Sequence, residues 1–210
     1  MPASIDAARA DTIAGIMAAT FTPPAGRPLK LHLGGWEVKE GWTIVNVEDR
    51  PGVDVRGNVT DLSMFADQSA DEIYASHVYE HLSYMNELPQ AFNEAARVLK
   101  VGGILRVAVP DLETLCRLFL ESGHDLNQQW FVQRMIMGGQ VEPFDFHKTG
   151  FNFQFLGGML HAHGFREIKR VTGFGLFRDT SDADFLGTPI SLNVECVRSA
   201  EARPVLPATA

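Results

Sequence analysis

Residues 71–115 read DEIYASHVYEHLSYMNELPQAFNEAARVLKVGGILRVAVPDLETL, and the period of their apolar residues alternates along the stretch. Asp71–Ala75 is a short run of strand length. Leu88, Ala91, Phe92, Ala95 and Leu99 then recur at helical spacing, which predicts an amphipathic helix that stops at Gly102-Gly103. Ile104–Val109 is a buried strand ended by Pro110, which cannot donate to a ladder. Leu112, Leu115, Cys116 and Phe119 mark the apolar face of the next helix. Strand, helix, strand, helix in this order implies parallel strands joined by crossover helices.

The same alternation extends outward. Leu29–Leu33, Thr43–Val47 and Val53–Val55 read as three earlier strands, the second rich in β-branched residues. Downstream, 126–137 is expected to be helical, and 138–152 is an irregular connection with glycines and aromatics, long enough to be a lid. Phe155, Leu156, Met159 and Leu160 predict a further helix closed by Gly164, followed by strands at Glu167–Val171 and Ile190–Val197. The expected architecture is an α/β domain over 29–198, a mostly parallel sheet of about seven strands with helices on both faces. Ahead of it, 1–28 reads as a helix, N-capped at Ser4 and carrying Ile5, Ala8, Ile13 and Ile16, and then a loop at Pro23-Pro24. The Ala- and Pro-rich 199–210 reads as a frayed tail.

Composition narrows the function. A net charge of −8 without a long basic run disfavours nucleic acid, whose phosphates call for clustered Lys and Arg. Cys116 and Cys196, each within an apolar segment and expected to be buried, make no disulfide framework. Asp6, Arg9 and Asp11 interrupt the N-terminal alanines, which spoils a signal sequence, and no apolar run reaches membrane-span length. The expected compartment is the cytoplasm.

The chemistry-bearing residues fall at strand ends, the rim where ligands collect in an open parallel sheet. Gly34 and Gly35 follow the first strand, where a side chain would block close approach to the backbone. Glu48 ends the second strand, where an acid can accept both hydroxyls of a ribose. Asn58-Val59 follows the third, either as an adenine contact or as a turn. Ser76-His77 follows the fourth. His77 and His81 have helical ligand spacing with Glu80 between them, but this is not the HExxH pattern and no metal is expected. His81 is read as a structural histidine.

At this point the pattern resembles the class I S-adenosylmethionine-dependent methyltransferases, particularly the bacterial group of type 11 or predicted methyltransferases. The resemblance runs from about Leu29 to Val197. It rests on LHLGGW at 31–36, on Gly41-Trp42 with Asn46–Glu48, on DEIYASHVYEHL, on RVLKVGG at 97–103 and on RVAVPDLETL at 106–115, with AHGF at 162–165 and ISLNVEC at 190–196 in support. It implies a Rossmann-like fold and S-adenosylmethionine as cofactor, with S-adenosylhomocysteine as product. It further implies that Leu33, Gly34 and Gly35 meet the methionine and ribose, that Glu48 binds the ribose hydroxyls, that Asn58 and Val59 lie at the adenine, and that Ser76 and His77 lie beside the sulfonium.

Three positions depart from that pattern. Trp36 stands at the cofactor mouth where a small residue is usual, so its indole either crowds the cofactor or closes over it. Asn58 replaces the commoner aspartate, and Val101 the proline of KPGG. The Leu33–Thr43 connection is also short for a helical crossover, so its helix is expected to be cut to a turn or lost. Asp145, His147 and Lys148 cluster in the presumptive lid, where His147 can serve as a base or simply bond to a carbonyl. Phe144, Phe146, Phe151 and Phe153 either shape an apolar pocket or pack the lid. Asp179, Thr180 and Ser181 either border the acceptor site or form a turn. The candidate catalytic residues are His147, His77 and Asp145, with the acceptor a small molecule or glycan precursor methylated on oxygen or nitrogen, and with a homodimer left open. A methyltransferase-like binding or regulatory protein is the alternative. An NAD-dependent dehydrogenase would need the G-x-G-x-x-G fingerprint, which is missing.

Overall fold

The computed structural model describes residue 21 and residues 26–200; the expected N-terminal helix and the tail beyond residue 200 lie outside them. Nine strands form in chain order: β1 (Lys30–Leu33), β2 (Thr43–Asn46), β3 (Val55–Arg56), β4 (Ala70–Ser76), β5 (Leu99–Pro110), β6 (Phe165–Val171), β7 (Asp184–Phe185), β8 (Thr188–Pro189) and β9 (Ser191–Arg198). Among the described residues four α-helices accompany them: α1 (Glu87–Val98), α2 (Leu112–Leu120), α3 (Leu126–Met137) and α4 (Phe153–Ala162). Seven strands pair in the order β3-β2-β1-β4-β5-β9-β6. β1 to β5 run parallel, and β9 enters antiparallel between β5 and β6. The remaining β7 and β8 form a small hairpin that the strand periodicity did not announce.

Two sequence expectations are corrected here. The helix ends at Val98, and the chain enters β5 at once through Leu99 rather than stopping at Gly102-Gly103. Leu99 is fully buried either way, so its apolar character fits both periods and does not mark the boundary. On α2 the buried face is Leu115 and Leu118, while Cys116 and Phe119 point to solvent.

Helix ends follow local chemistry. Asp111 begins α2 and accepts from Thr114 N and Oγ1, Asp125 begins α3 in a capping box with Gln128, and Asn152 begins α4 by accepting from Phe155 N. Gly164 has a φ of 90°, the left-handed conformation that lets the chain leave α4 and enter β6.

The two faces of the sheet are built differently. One buries Leu31, Leu33, Ile73, Leu105 and Val107 in the main core with Leu88, Ala91, Phe92 and Ala95 of α1 and Leu156 and Leu160 of α4. Each fully buried side chain of this size is worth about 1.5–3 kcal/mol. The other carries a row of alternating charge across five adjacent strands: Lys30, Glu72, Arg106, Glu195 and Lys169. Lys30 Nζ lies 2.9 Å from Glu72, Arg106 pairs with Glu72 and, at 2.8 Å, with Glu195, and Lys169 Nζ is 2.7 Å from Glu195.

Beyond that row the same face is covered by rings. No helix forms in residues 34–42, as the short connection implied. Instead Phe174 and Phe177, from the segment after β6, pack on Tyr74, and Phe177 also packs on His32 and Trp42. Lys39 donates to Leu176 O, and Arg178 N donates to Glu37 at 2.7 Å, which ties the shortened crossover to this aromatic cover.

Candidate active site

At the end of β1 the chain turns through Gly34 with φ 72°. A Cβ on Gly34 would lie 2.4 Å from Val78 Cγ2, and one on Gly35 would lie 2.4 Å from the His32 ring. Both positions therefore exclude a side chain. Gly34 N continues the ladder by donating to Val45 O at 2.8 Å. Asn46, the last residue of β2, donates from Nδ2 to Gly34 O at 3.1 Å and to Gly35 O at 2.9 Å, and its Oδ1 accepts from Glu48 N at 3.0 Å. One amide thus locks the glycine turn to the segment bearing Glu48. Sequence reasoning gave Asn46 no such role, although a polar amide at a strand end beside a glycine turn is a signal that could have found it.

The other rim residues are placed as follows. The Glu48 carboxylate is partly exposed and paired with Arg50. Trp36 is 61% exposed, so its indole stands in solvent. Asn58 is exposed, and its Oδ1 accepts from Thr60 N at 3.1 Å in a turn. Val59 is buried in the main core. Ser76 ends β4 with its hydroxyl buried beside the Tyr74 hydroxyl. His77 follows in the left-handed region at φ 54°, uncommon for a residue with a side chain and a sign of local constraint.

From His77 a polar cluster extends under the 138–152 connection, which is irregular as expected. His77 Nε2 lies 2.9 Å from Ser191 Oγ, whose own hydroxyl donates to Thr180 O at 2.8 Å. Its Nδ1 lies 3.2 Å from Glu80 Oε1. His81 and His147 meet edge to face, ring centroids 4.9 Å apart. Burial works against charge on Glu80, but His77, His81 and His147 together hold its carboxyl below the usual range. Burial pushes His147 down as well, against the pull of Glu80. The connection is fastened here because Lys148 N and Thr149 N both donate to Glu80 O, at 2.7 and 3.0 Å.

The three candidate catalytic residues do not converge. His77 and His147 both approach Glu80, whereas Asp145 turns into its own loop and accepts from Val141 N at 3.3 Å. Of the four loop phenylalanines, Phe151 is fully buried and Phe153 packs against the core, while Phe144 and Phe146 are exposed. Asp179 accepts from the buried Tyr74 hydroxyl at 2.7 Å, and the buried Ser181 hydroxyl bonds to the same tyrosine.

Residues 41–107 match the family described as a methyltransferase domain. Among the described residues the sheet of order 3-2-1-4-5-9-6 has one antiparallel member, the penultimate strand in space. The fold is that of the class I S-adenosylmethionine-dependent methyltransferases, and the stretch over residues 41–107 is similar in sequence to the methyltransferase-domain family. Solved structures agree at the level of fold. An S-adenosylmethionine-dependent methyltransferase from Archaeoglobus fulgidus has a TM-score of 0.53 at 14% identity, covering 93% of this chain and 95% of that one. A protein described as a "possible histamine N-methyltransferase" from Thermotoga maritima has 0.52 at 20%, covering 84% of each chain. A protein from Bordetella parapertussis described as possibly exported has 0.52 at 11%, covering 83% of this chain and 63% of that one, so this chain spans less than two thirds of its length. Among curated proteins none matches. S-adenosylmethionine, the cofactor of the matching family, suits this cradle: a glycine turn that a Cβ would fill, an acid two residues beyond the Asn46 clamp, and a buried hydroxyl at Ser76. Among the described residues no helix is long and apolar enough to cross a membrane.

Proposed function

We propose that this methyltransferase acts in the cytoplasm on an oxygen or nitrogen of a small molecule or glycan precursor, and that the Asn46-clamped glycine turn between Glu48 and Ser76 is its cofactor cradle. When bound, the cofactor supplies a methyl group on a sulfonium, already a good leaving group. The protein's share is then placement of the acceptor in line, exclusion of water and management of one proton. Leu33, Gly34 and Gly35 line the methionine and ribose end, with Trp36 at the mouth. Glu48 accepts the ribose hydroxyls. Asn58 keeps its amide N–H groups for the adenine edge, its oxygen being used in the turn, and Val59 supports that end from the core.

Ser76 and His77 lie at the sulfonium end. The polar groups gathered around the buried Tyr74 hydroxyl, Ser76 Oγ, Ser181 Oγ and Asp179, make a polar lining that favours a polar acceptor. No single base is assigned. Asp145 is withdrawn from that role by its own loop.

Calorimetric titration with S-adenosylhomocysteine tests the cradle. Hydrogen bonds to a charged group contribute about 1.5–3 kcal/mol, so Glu48→Ala should weaken binding by roughly ten- to a hundredfold. Arg50→Ala, which frees the carboxylate, should not weaken it. Equal affinity of Glu48→Ala and the parent chain would remove Glu48 from the site.

A further inference from the structure

Three imidazoles face one buried carboxylate, and each ring has its far nitrogen committed. His81 Nδ1 lies 3.2 Å from Phe146 O and His147 Nδ1 lies 3.2 Å from Ile136 O. A carbonyl only accepts, so each of those nitrogens carries the proton, and in the neutral ring Nε2 presents a lone pair. His77 is held in the same manner by Ser191, whose hydroxyl proton is already given to Thr180 O; Nε2 of His77 must donate, and Nδ1 faces Glu80. Glu80 is 1% exposed, and imidazoles approach its carboxylate: His77 Nδ1 lies 3.2 Å and His81 Nε2 4.0 Å from Oε1. The His81 and His147 lone pairs turned toward this buried carboxylate repel it unless positive charge lies between them.

We propose that Glu80, His81 and His147 bind a divalent transition-metal ion of the zinc type. One ligand atom from each residue lies within 4.8 Å of the others, and His81 Nε2 is 4.0 Å from Glu80 Oε1. Metal–ligand bonds of about 2.0–2.2 Å place ligands roughly 3–3.5 Å apart, so the cluster must contract by roughly an ångström. Two imidazoles and a carboxylate form a donor set that zinc and its first-row neighbours accept, with a position left for water or a substrate atom. The backbone carbonyls on both Nδ1 atoms are the outer partners that fix ligand tautomer and direction in metal sites. Lys148 N and Thr149 N, by donating to Glu80 O, hold the His147 segment against the Glu80 turn. His77, whose Nδ1 is 3.2 Å from Glu80 Oε1, connects the ion to the sulfonium end of the proposed cradle. That the ion lies beside the acceptor rests on the proposed function; its binding does not.

The test uses the full chain freed of metal by chelation. Zinc titration by calorimetry should give about one tight equivalent, micromolar or better, and cobalt(II) should give a visible ligand-field band with the same stoichiometry. His147→Gln and Glu80→Gln should each weaken binding at least tenfold, while His161→Gln, a histidine of α4 outside the cluster, should leave it unchanged. Thermal melts in chelator identify any variant that fails to fold, and His81→Gln replaces it in the comparison. Absence of a cobalt band, or zinc binding that His147→Gln and Glu80→Gln leave intact, overturns the site. S-adenosylhomocysteine binding is measured in parallel: its retention in a chain that binds no zinc defeats the metal site alone, and its loss in a chain that binds zinc defeats the cradle alone.

Discussion

Replacing Gly34 with alanine should destabilise the protein by about 2–5 kcal/mol, the sum of two separable costs. The first is conformational: φ is 72°, and a side chain in the left-handed region costs about 1–2 kcal/mol. The second is steric: the new methyl would lie 2.4 Å from Val78 Cγ2, an overlap of the kind that costs about 1–3 kcal/mol in packed regions. Only the steric part depends on Val78, so Val78→Ala should suppress it and leave the conformational part. Urea unfolding of the four proteins of this double-mutant cycle, with slopes checked for equality, should give a coupling energy of about 1–3 kcal/mol that favours the double variant. The same substitution disturbs the Gly34 and Gly35 carbonyls that Asn46 holds, so S-adenosylhomocysteine affinity should fall in Gly34→Ala and recover partly with Val78→Ala. Additivity of the two single changes to within about 0.5 kcal/mol would refute the reasoning, because it would mean that the turn and Val78 are not in contact.

Two further outcomes follow from the other face of the sheet. Arg106→Met leaves Glu72 and Glu195 without the cation between them, though Lys30 and Lys169 remain; the expected loss is about 2–3 kcal/mol, below the usual cost of breaking a buried pair, and adding Glu72→Gln should recover part of it in chemical denaturation. His32 is buried against Tyr74 and Phe177, and burial pushes its pKa down to about 4. The unfolded chain takes up that proton first, so the stability tied to neutral His32 is complete above about pH 6.5 and declines as pH falls toward 4, by at most about 3 kcal/mol. Unfolding free energies of the parent and His32→Phe, measured across that range, should diverge accordingly; parallel curves would show that His32 titrates freely in the native state.

Sequence alone determined the chain order of the seven main-sheet strands and of the helices among the described residues, because the periods of 2 and 3.6 are written in side-chain polarity and survive without knowledge of partners. It also determined which residues reach the rim: a glycine pair after β1, Glu48 after β2 and Ser76-His77 after β4 occupy strand ends whatever the remainder of the chain does. Tertiary structure alone decided what those residues touch. Asn46 reads as an ordinary strand-end amide until parallel pairing of β1 and β2 brings the Gly34 and Gly35 carbonyls to it. Lys30, Glu72, Arg106, Glu195 and Lys169 are separate surface charges in the sequence, and become one row only when strand order and register align them. Phe174 and Phe177 give no sign that they replace a missing crossover helix. Glu80 and His81 are neighbours, but His147 reaches them only because the 138–152 connection folds back over the end of β4, and the burial that makes Glu80 chemically distinctive comes from that return. Periodicity reports which side of an element is buried; it cannot report what arrives to bury it, since that partner is chosen by long-range pairing across the whole sheet.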